Sequence, residues 1–541
     1  MKLQRGYKKR DLTLKRTYEI VNGELTKYYN NDIQLDEEQI IVGKIEQRTG
    51  GVLEDIVETI QESQLDIIEA DPRQVCIVQG CVGSGKSTVA IHKLSHIFFN
   101  FPGYIRPERS ILVAKNQILV GYLSTLFPKL GIFDINYKTL KDLVVNTVFR
   151  EHLPISTNLD IGEDTKEFDK HRISEVYTRT LEFHDVVEEQ INDIFNSNEL
   201  FETFKSYKYD KNFTSYENVR NIINDLEEEL STQKTYLKDN PNSIRIWLFK
   251  ENIKTLRSLL TKLRALRDRI KKKYVAELCS DLNLSLSGEL NYLETLTYLF
   301  VYSELVGFVS TPKYEYCVVD EGQDFSPLEY VVLSKYVLRQ RLAIFGDLNQ
   351  SIETDGLTNW QDIQNVLPRA KNALKFELDT NYRSTKQIID FANSILKPYT
   401  QNYLPKSINR HGENPKTFKF STYDEMIQDF KQKILAETAD LDKSIGIICF
   451  NNDTYYNVEQ ILDESAVPRQ NIIKLDPSKP INYIPRGVYL SKFEDCKGLE
   501  FSKVFVLDLD IDKIKNYEFA KKAFVAVTRA MNEVEVYCSE K

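Results

Sequence analysis

Eight consecutive residues, Gly80-Cys81-Val82-Gly83-Ser84-Gly85-Lys86-Ser87, follow the spacing G-x-x-x-x-G-K-[ST] and lead through Thr88 into a helical pattern. The chemistry this spacing supports is phosphate binding. Glycines let successive backbone N–H groups converge on phosphate oxygens at a helix N-terminus, the lysine reaches the β and γ phosphates, and the serine hydroxyl can ligate Mg²⁺. Gly80, Gly83, Ser84, Gly85, Lys86, Ser87 and Thr88 are therefore the expected cradle for ATP. Farther along, apolar Val318-Val319 runs into paired carboxylates, Asp320 and Glu321. Such a pair supplies one ligand for Mg²⁺, here Asp320, and one group to orient and deprotonate an attacking water, here Glu321. A third apolar run ends at Gly346-Asp347-Leu348-Asn349-Gln350-Ser351, which puts the Gln350 amide where it can sense a terminal phosphate. Cys81 reads as a small loop residue, with a redox switch as the lesser alternative.

Groups spread this widely in the chain meet only if strands deliver them to one edge of a sheet. Strand-like runs occur at Val75–Val78, Ile111–Val113, Tyr316–Val319, Leu342–Phe345, Gly446–Cys449, Val504–Leu507 and Val534–Tyr537, most followed by polar turns and helical stretches. That alternation predicts an α/β chain with parallel sheets covered by helices. Near the start, TYEIV and ELTKYY flank Asn22-Gly23 and read as a short β-hairpin within residues 1–50, and a helical pattern opens at Val52. Residues 131–305 show helical periodicity and no evident strand, so they are expected to form an insertion. Within it, two amphipathic helices separated by Asn240-Pro241-Asn242 predict an antiparallel hairpin over 216–274. Its second helix, if continuous from Ser243 to Lys273, would extend on the order of 45 Å and project as an arm able to touch a partner. That helix is strongly basic, and the acidic Glu227-Glu228-Glu229 run on the first offers internal pairing for part of the charge.

Composition restricts the alternatives. A chain of 541 residues has room for three or four domains, and 42% hydrophobic with 28% charged residues excludes a disordered or fibrous protein. No run of eighteen apolar residues occurs, and the first thirty residues lack the core of a secretory signal. Seven scattered cysteines with no C-x-x-C pair argue against a disulfide framework or structural zinc, so a cytoplasmic protein with no membrane partner is expected. The formal net charge of −9 means that any nucleic-acid surface must be local, as at Lys8–Arg10 or Lys262–Lys273.

The motifs in order, D-E-G-Q-D at Asp320–Asp324, G-D-L-N-Q-S at Gly346–Ser351, N-Y-R-S-T at Asn381–Thr385, K-G-L-E-F at Lys497–Phe501 and V-A-V-T-R-A at Val525–Ala530, resemble the superfamily 1 helicases of the UvrD/Rep type. The stretch around the P-loop and LTLKRTYEIVNGEL resemble most the HelD branch, NTPases associated with RNA polymerase, without the usual long N-terminal arm. The resemblance implies two RecA-like parallel-sheet domains, at 51–130 with 306–370 and at 371–541, with ATP between them. It also implies that Gln64 and Tyr382 meet the adenine, Glu500 the ribose, and Arg383 and Arg529 the γ-phosphate, while Gln350 couples phosphate state to movement. The implied partner is nucleic acid, DNA first, with RNA polymerase or another protein reached through the hairpin. The implied function is an ATP-hydrolysing helicase or translocase; the alternatives are a remodeller of RNA polymerase that does not unwind and an NTP-gated component of a defence system. Two departures thin the DNA track. Ala114-Lys115-Asn116-Gln117 replaces the threonine-rich strand-gripping motif, and after Gln350 the usual aromatic Y-x-W-R element is absent, Trp360 being a poor substitute. The interval Thr385–Lys497 is also short for the accessory domain of UvrD-type enzymes.

Overall fold

The computed structural model describes residues 15–21, 24–31, 62–115, 132, 134–159, 170–197, 207–352, 356–439, 441–465, 467–476 and 486–540. The expected turn Asn22-Gly23, the helix opening at Val52, Asn116-Gln117 and the basic start at Lys2–Arg10 lie outside these residues. Strands β1 (Lys15–Val21) and β2 (Glu24–Asn31) pair antiparallel as the expected hairpin.

Strands β3 (Cys76–Gly80), β4 (Ser110–Ala114) and β5 (Asn136–Thr139) join β8 (Tyr316–Val319), β9 (Leu342–Gly346) and β10 (Leu374–Leu378) in one parallel sheet, ordered β10-β3-β9-β8-β4-β5. The four inner strands are buried at every residue, as continuous β-branched and apolar runs covered on both faces should be. The two edge strands were not legible as such. NYKT and LKFEL carry polar residues that stay partly exposed, so neither reads as a buried strand. Consequently the sheet takes in β5 from the stretch expected to lack strands, and β10 from beyond the expected boundary at 370. Two-residue ladders also form, β6 (Ser156–Thr157) with β7 (Glu289–Leu290) inside that stretch and β11 (Thr380–Asn381) with β12 (Lys406–Ser407).

A second parallel sheet follows, ordered β13-β18-β17-β14-β16-β15, from β13 (Lys416–Phe420), β14 (Ile445–Cys449), β15 (Ile472–Lys474), β16 (Val488–Lys492), β17 (Phe501–Leu507) and β18 (Ala530–Ser539). The chain is thus α/β with two parallel six-stranded sheets, the arrangement expected of two RecA-like domains.

Helices Ser215–Asp239 and Ile246–Arg269 form the expected hairpin, the first opened by a Thr214/Glu217 capping box and the pair broken at Asn240. Arg264 pairs with Glu227 at 2.6 Å, so part of the basic charge is internally matched. The expectation of a free arm needs correcting for its base. Ile222, Ile223, Leu226, Leu256, Leu260, Leu263 and Leu266 are buried in one core with Val75, Ile77 and Ile111 of the first sheet. No residue from 231 to 250 is buried, and in this distal part Tyr236 stacks on Phe249 and Trp247 is 66% exposed. No helix among the described residues is long and apolar enough to cross a membrane.

The second sheet contains a buried charge network. Lys503 on β17 pairs with Glu437 at 2.6 Å, Glu535 at 3.2 Å and Glu533 at 3.3 Å. Burial alone would lower the Lys503 pKa, but these carboxylates hold it up at about 12, and the lysines around Glu533 and Glu535 keep both acids below their usual range despite burial. Lys503→Met should therefore cost about 3 kcal/mol in chemical denaturation, because it removes the buried cation that the buried Glu535 shares with the half-buried Glu437 and Glu533. The sign in pH follows. The acids contribute above their unfolded value of 4.5 and lose that contribution as pH falls through their lower folded values, while Lys503 contributes below 10.5 and loses it as pH rises through about 12. The wild-type advantage over the methionine variant should thus be whole between those limits.

Candidate nucleotide site

Strand β3 ends at Gly80, and the loop that follows turns into helix Lys86–Asn100. Two glycines are required by space. A Cβ at Gly83, where φ is +66°, would lie 2.3 Å from Asn381 Nδ2, and one at Gly80 would lie 2.4 Å from Lys86 Cγ. The loop is clamped from outside: Asn381 Nδ2 donates to Val82 O at 2.7 Å, the Tyr382 N–H to Gly83 O at 3.0 Å, and Gln64 Nε2 to Ser84 O at 3.2 Å. The two residues expected at adenine, Gln64 and Tyr382, therefore flank the loop. Ser84 Oγ is buried without a hydrogen-bond partner, and Lys86 Nζ donates to Cys81 O at 3.2 Å. These are groups that phosphate oxygens would satisfy. Cys81 is buried, and burial holds its thiol well above the usual range, so the redox alternative finds no thiolate.

Ser87 Oγ donates to Asp320 Oδ2 at 2.8 Å, joining the first turn of the P-loop helix to the end of β8. A hydroxyl and a carboxylate so placed fit Mg²⁺, a hard cation that takes few protein oxygens and shares the rest with phosphates. Burial, reinforced by the neighbouring charge of Glu321, raises the Asp320 pKa. For Glu321 burial is outweighed chiefly by the Lys86 ammonium, and its carboxyl is held below the usual range. Of the pair, Glu321 is therefore the more readily ionised, as suits a general base. Its backbone sits at φ 51°, a left-handed conformation uncommon for a non-glycine residue, and its side chain accepts from Gln323 Nε2 at 2.8 Å.

Behind these groups runs a buried relay centred on Asp347 at the end of β9. Asp347 accepts from Gln79 Nε2 at 2.9 Å and Gln350 Nε2 at 2.7 Å, while its own N–H donates to Gln323 Oε1 at 2.9 Å. Gln350 Oε1 in turn accepts from Arg529 Nη2 at 2.7 Å. Arg529 lies between the helix Tyr517–Val527 and β18, so this contact joins the second sheet to the motif ending the first. Lys497 Nζ to Asp324 Oδ1 at 2.7 Å and Tyr517 OH to Asn349 Oδ1 at 3.0 Å close the same seam. Arg383 and Glu500, expected at the γ-phosphate and the ribose, form an ion pair with each other. Ser384 Oγ donates to Ala530 O at 2.9 Å, so the segments bearing Arg383 and Arg529 are stitched together.

The family model of the UvrD/REP helicase N-terminal domain matches residues 127–352, and that of the UvrD-like helicase C-terminal domain matches 376–476. This is a UvrD/Rep-type chain. The ATP-dependent DNA helicase PcrA of Bacillus subtilis is 38% identical over 117 residues, 20% of this chain and 15% of that protein. The ATP-dependent DNA helicase PcrA of Leuconostoc citreum is 29% identical over 165 residues, 29% of this chain and 22% of that protein. The UvrD/Rep-type chain thus aligns with less than a quarter of the length of either relative. A crystal structure of the C-terminal domain of a possible DNA helicase from a Lactobacillus covers 29% of the chain at 22% identity, with a TM-score of 0.22, too low to bear on the fold.

Two positions read as departures from the strand-gripping motifs of the family turn inward. Lys115 Nζ pairs with the buried Glu329 at 2.9 Å and lies over the Phe325 ring. Trp360 is 5% exposed and donates from Nε1 to Gln79 Oε1 at 2.9 Å, which makes it a support of the P-loop strand rather than a substitute for the absent aromatic element. Sequence reasoning assigned no role to Gln79, Gln323, Asn381 or the Asp324–Lys497 pair. All but Gln79 lie inside the quoted motifs, which was the available signal.

Proposed function

We propose that this chain is an ATP-hydrolysing superfamily 1 helicase or translocase that acts on nucleic acid or on a nucleic-acid-bound complex. The observation that carries the reading is one set of groups: the Ser87–Asp320 bond, Glu321 held by Gln323, and Arg529 delivered from the second sheet onto Gln350. In this reading Gly80, Gly83, Ser84, Gly85 and Thr88 cradle the phosphates, and Lys86 neutralises the charge that develops on the transferred phosphoryl group. Glu321 takes the proton of the attacking water. Mg²⁺, held by Ser87 and Asp320, supplies further charge neutralisation when bound. Gln64 and Tyr382 hold the adenine, Glu500 the ribose, and Arg383 with Arg529 completes the site when the two halves close, which links hydrolysis to movement.

A second reading, an NTPase that remodels RNA polymerase without unwinding, is favoured by one observation. Lys115 and Trp360, at positions where a strand would be gripped, are committed to internal contacts. The test measures ATPase rate with single-stranded DNA, RNA and RNA polymerase added separately, alongside unwinding of a tailed duplex. We expect nucleic acid to stimulate turnover, binding to weaken steeply with salt, and strand separation by the chain alone to be poor. Stimulation by polymerase and not by nucleic acid would select the second reading. Robust unwinding at saturating ATP would overturn the expectation of a thin track and restore a plain helicase.

A further inference from the structure

Gln64 lies on a helix described over Glu62–Glu69. A helix in a folded protein takes its position from tertiary packing more than from its own backbone bonds. Ile67 and Ile68 pack on Val89, Ala90, Leu94 and Ile97 of helix Lys86–Asn100, but apolar contact alone does not fix its rotation or axial position. On one side it is tied to the P-loop by the bond from Gln64 to Ser84 O. Its other end is tied by Lys93, which is 0% exposed and donates from Nζ to Ile67 O at 2.9 Å and Ala70 O at 2.8 Å.

A fully buried ammonium is costly unless it is hydrogen-bonded. Burial does lower the Lys93 pKa, although Cys76 and Asp71 act against that shift. What compensates the burial is the C-terminal end of the helix, whose carbonyls carry partial negative charge and have lone pairs left to accept from the ammonium. Lys93 lies seven residues beyond Lys86 on the same helix, so one rigid element carries both the phosphate-binding lysine and the clamp on the Gln64 helix.

We propose that Lys93 is a positioning residue for base selection: its grip on Ile67 O and Ala70 O holds Gln64 in register with the P-loop, so that adenine is preferred. This rests on the reading of Gln64 as the adenine contact. The chemistry of that contact is selective. A glutamine amide offers one donor and one acceptor, matching the N7 acceptor and N6 donor of adenine, whereas guanine presents acceptors at both N7 and O6. The match holds only if the amide is held at a fixed depth and angle, which the two anchors supply together.

The test is displacement of a fluorescent ADP analogue by ATP and by GTP from the full chain, which needs no hydrolysis. For Lys93→Met the ATP-over-GTP preference should fall by about five- to tenfold, the worth of about one net hydrogen bond. Gln64→Ala should lose at least as much, and the double variant no more than Gln64→Ala alone, because both changes remove the same contact. Lys93→Arg, which can still donate to both carbonyls, should keep most of the preference. If Lys93→Met does not fold, Lys93→Gln serves in its place, since its shorter amide spans one carbonyl and not both. An unchanged preference in the Lys93 variant while Gln64→Ala loses it would make Lys93 a structural cap and overturn the proposal. Additive losses in the double variant would overturn it too. An unchanged preference in Gln64→Ala would instead overturn the adenine reading, a failure separable from the first.

Discussion

Replacing Lys86 with alanine is expected to lower ATP turnover by about a hundredfold or more, the scale of losing one preorganised electrostatic donor at a reacting centre. The environment of Glu321 makes the loss twofold in origin. Lys86 is the largest influence holding the Glu321 carboxyl below its usual range against burial. Its removal therefore takes a positive charge from the transferred phosphoryl group and also lets the general base drift toward protonation. Glu321→Gln separates the two effects. The amide keeps the shape and can still bond to Gln323, but it cannot accept a proton, so nucleotide binding should persist while steady-state hydrolysis falls by a comparable factor. Phosphate release together with equilibrium binding of a nonhydrolysable analogue reads both. Full turnover in either variant would sink the placement of the site on β3 and β8.

Arg529→Ala should be the larger loss, about a thousandfold in turnover if it acts as an arginine finger. Arg529 is buried, and its guanidinium also donates to Val525 O at 3.1 Å, so its backbone segment is fixed before any nucleotide arrives. The contact with Gln350 marks how far it already reaches across the seam. ADP lacks the γ-phosphate, so ADP affinity should change far less than turnover. Arg383→Ala should show the same division, and because Arg383 now pairs with Glu500, Glu500→Gln should leave turnover much nearer wild type than either arginine variant. If ADP affinity fell as far as turnover did, the arginines would be general phosphate ligands or structural struts.

Motif residues and inner strands were legible for one physical reason: both are dictated locally. A phosphate loop needs its glycines and lysine at fixed spacing, and a strand covered on both faces, such as Tyr316–Val319, must be apolar throughout. Edge strands escaped because their pairing is decided by distant neighbours. Leu374–Leu378 becomes a strand by lying along β3, nearly three hundred residues earlier, and all of it but Leu378 stays at least partly accessible. The internal partners were hidden for the same reason. Lys115 has the composition of a solvated turn residue until Glu329 is placed beside it. The base of the hairpin was misjudged because an amphipathic stripe does not say which surface it covers; Leu256 and Leu263 cover the helices next to the first sheet rather than only each other.

The two tryptophans divide the molecule optically. One sits on the outer reach of the helical hairpin and is largely open to water, while the other is sealed under the loop-bearing strand with its indole N–H bound to Gln79. Emission from the first lies to the red and yields to a soluble quencher; emission from the second lies to the blue and is shielded. The unmodified protein therefore carries two separate spectral channels, one reporting on the outer hairpin and the other on the strand that leads into the P-loop.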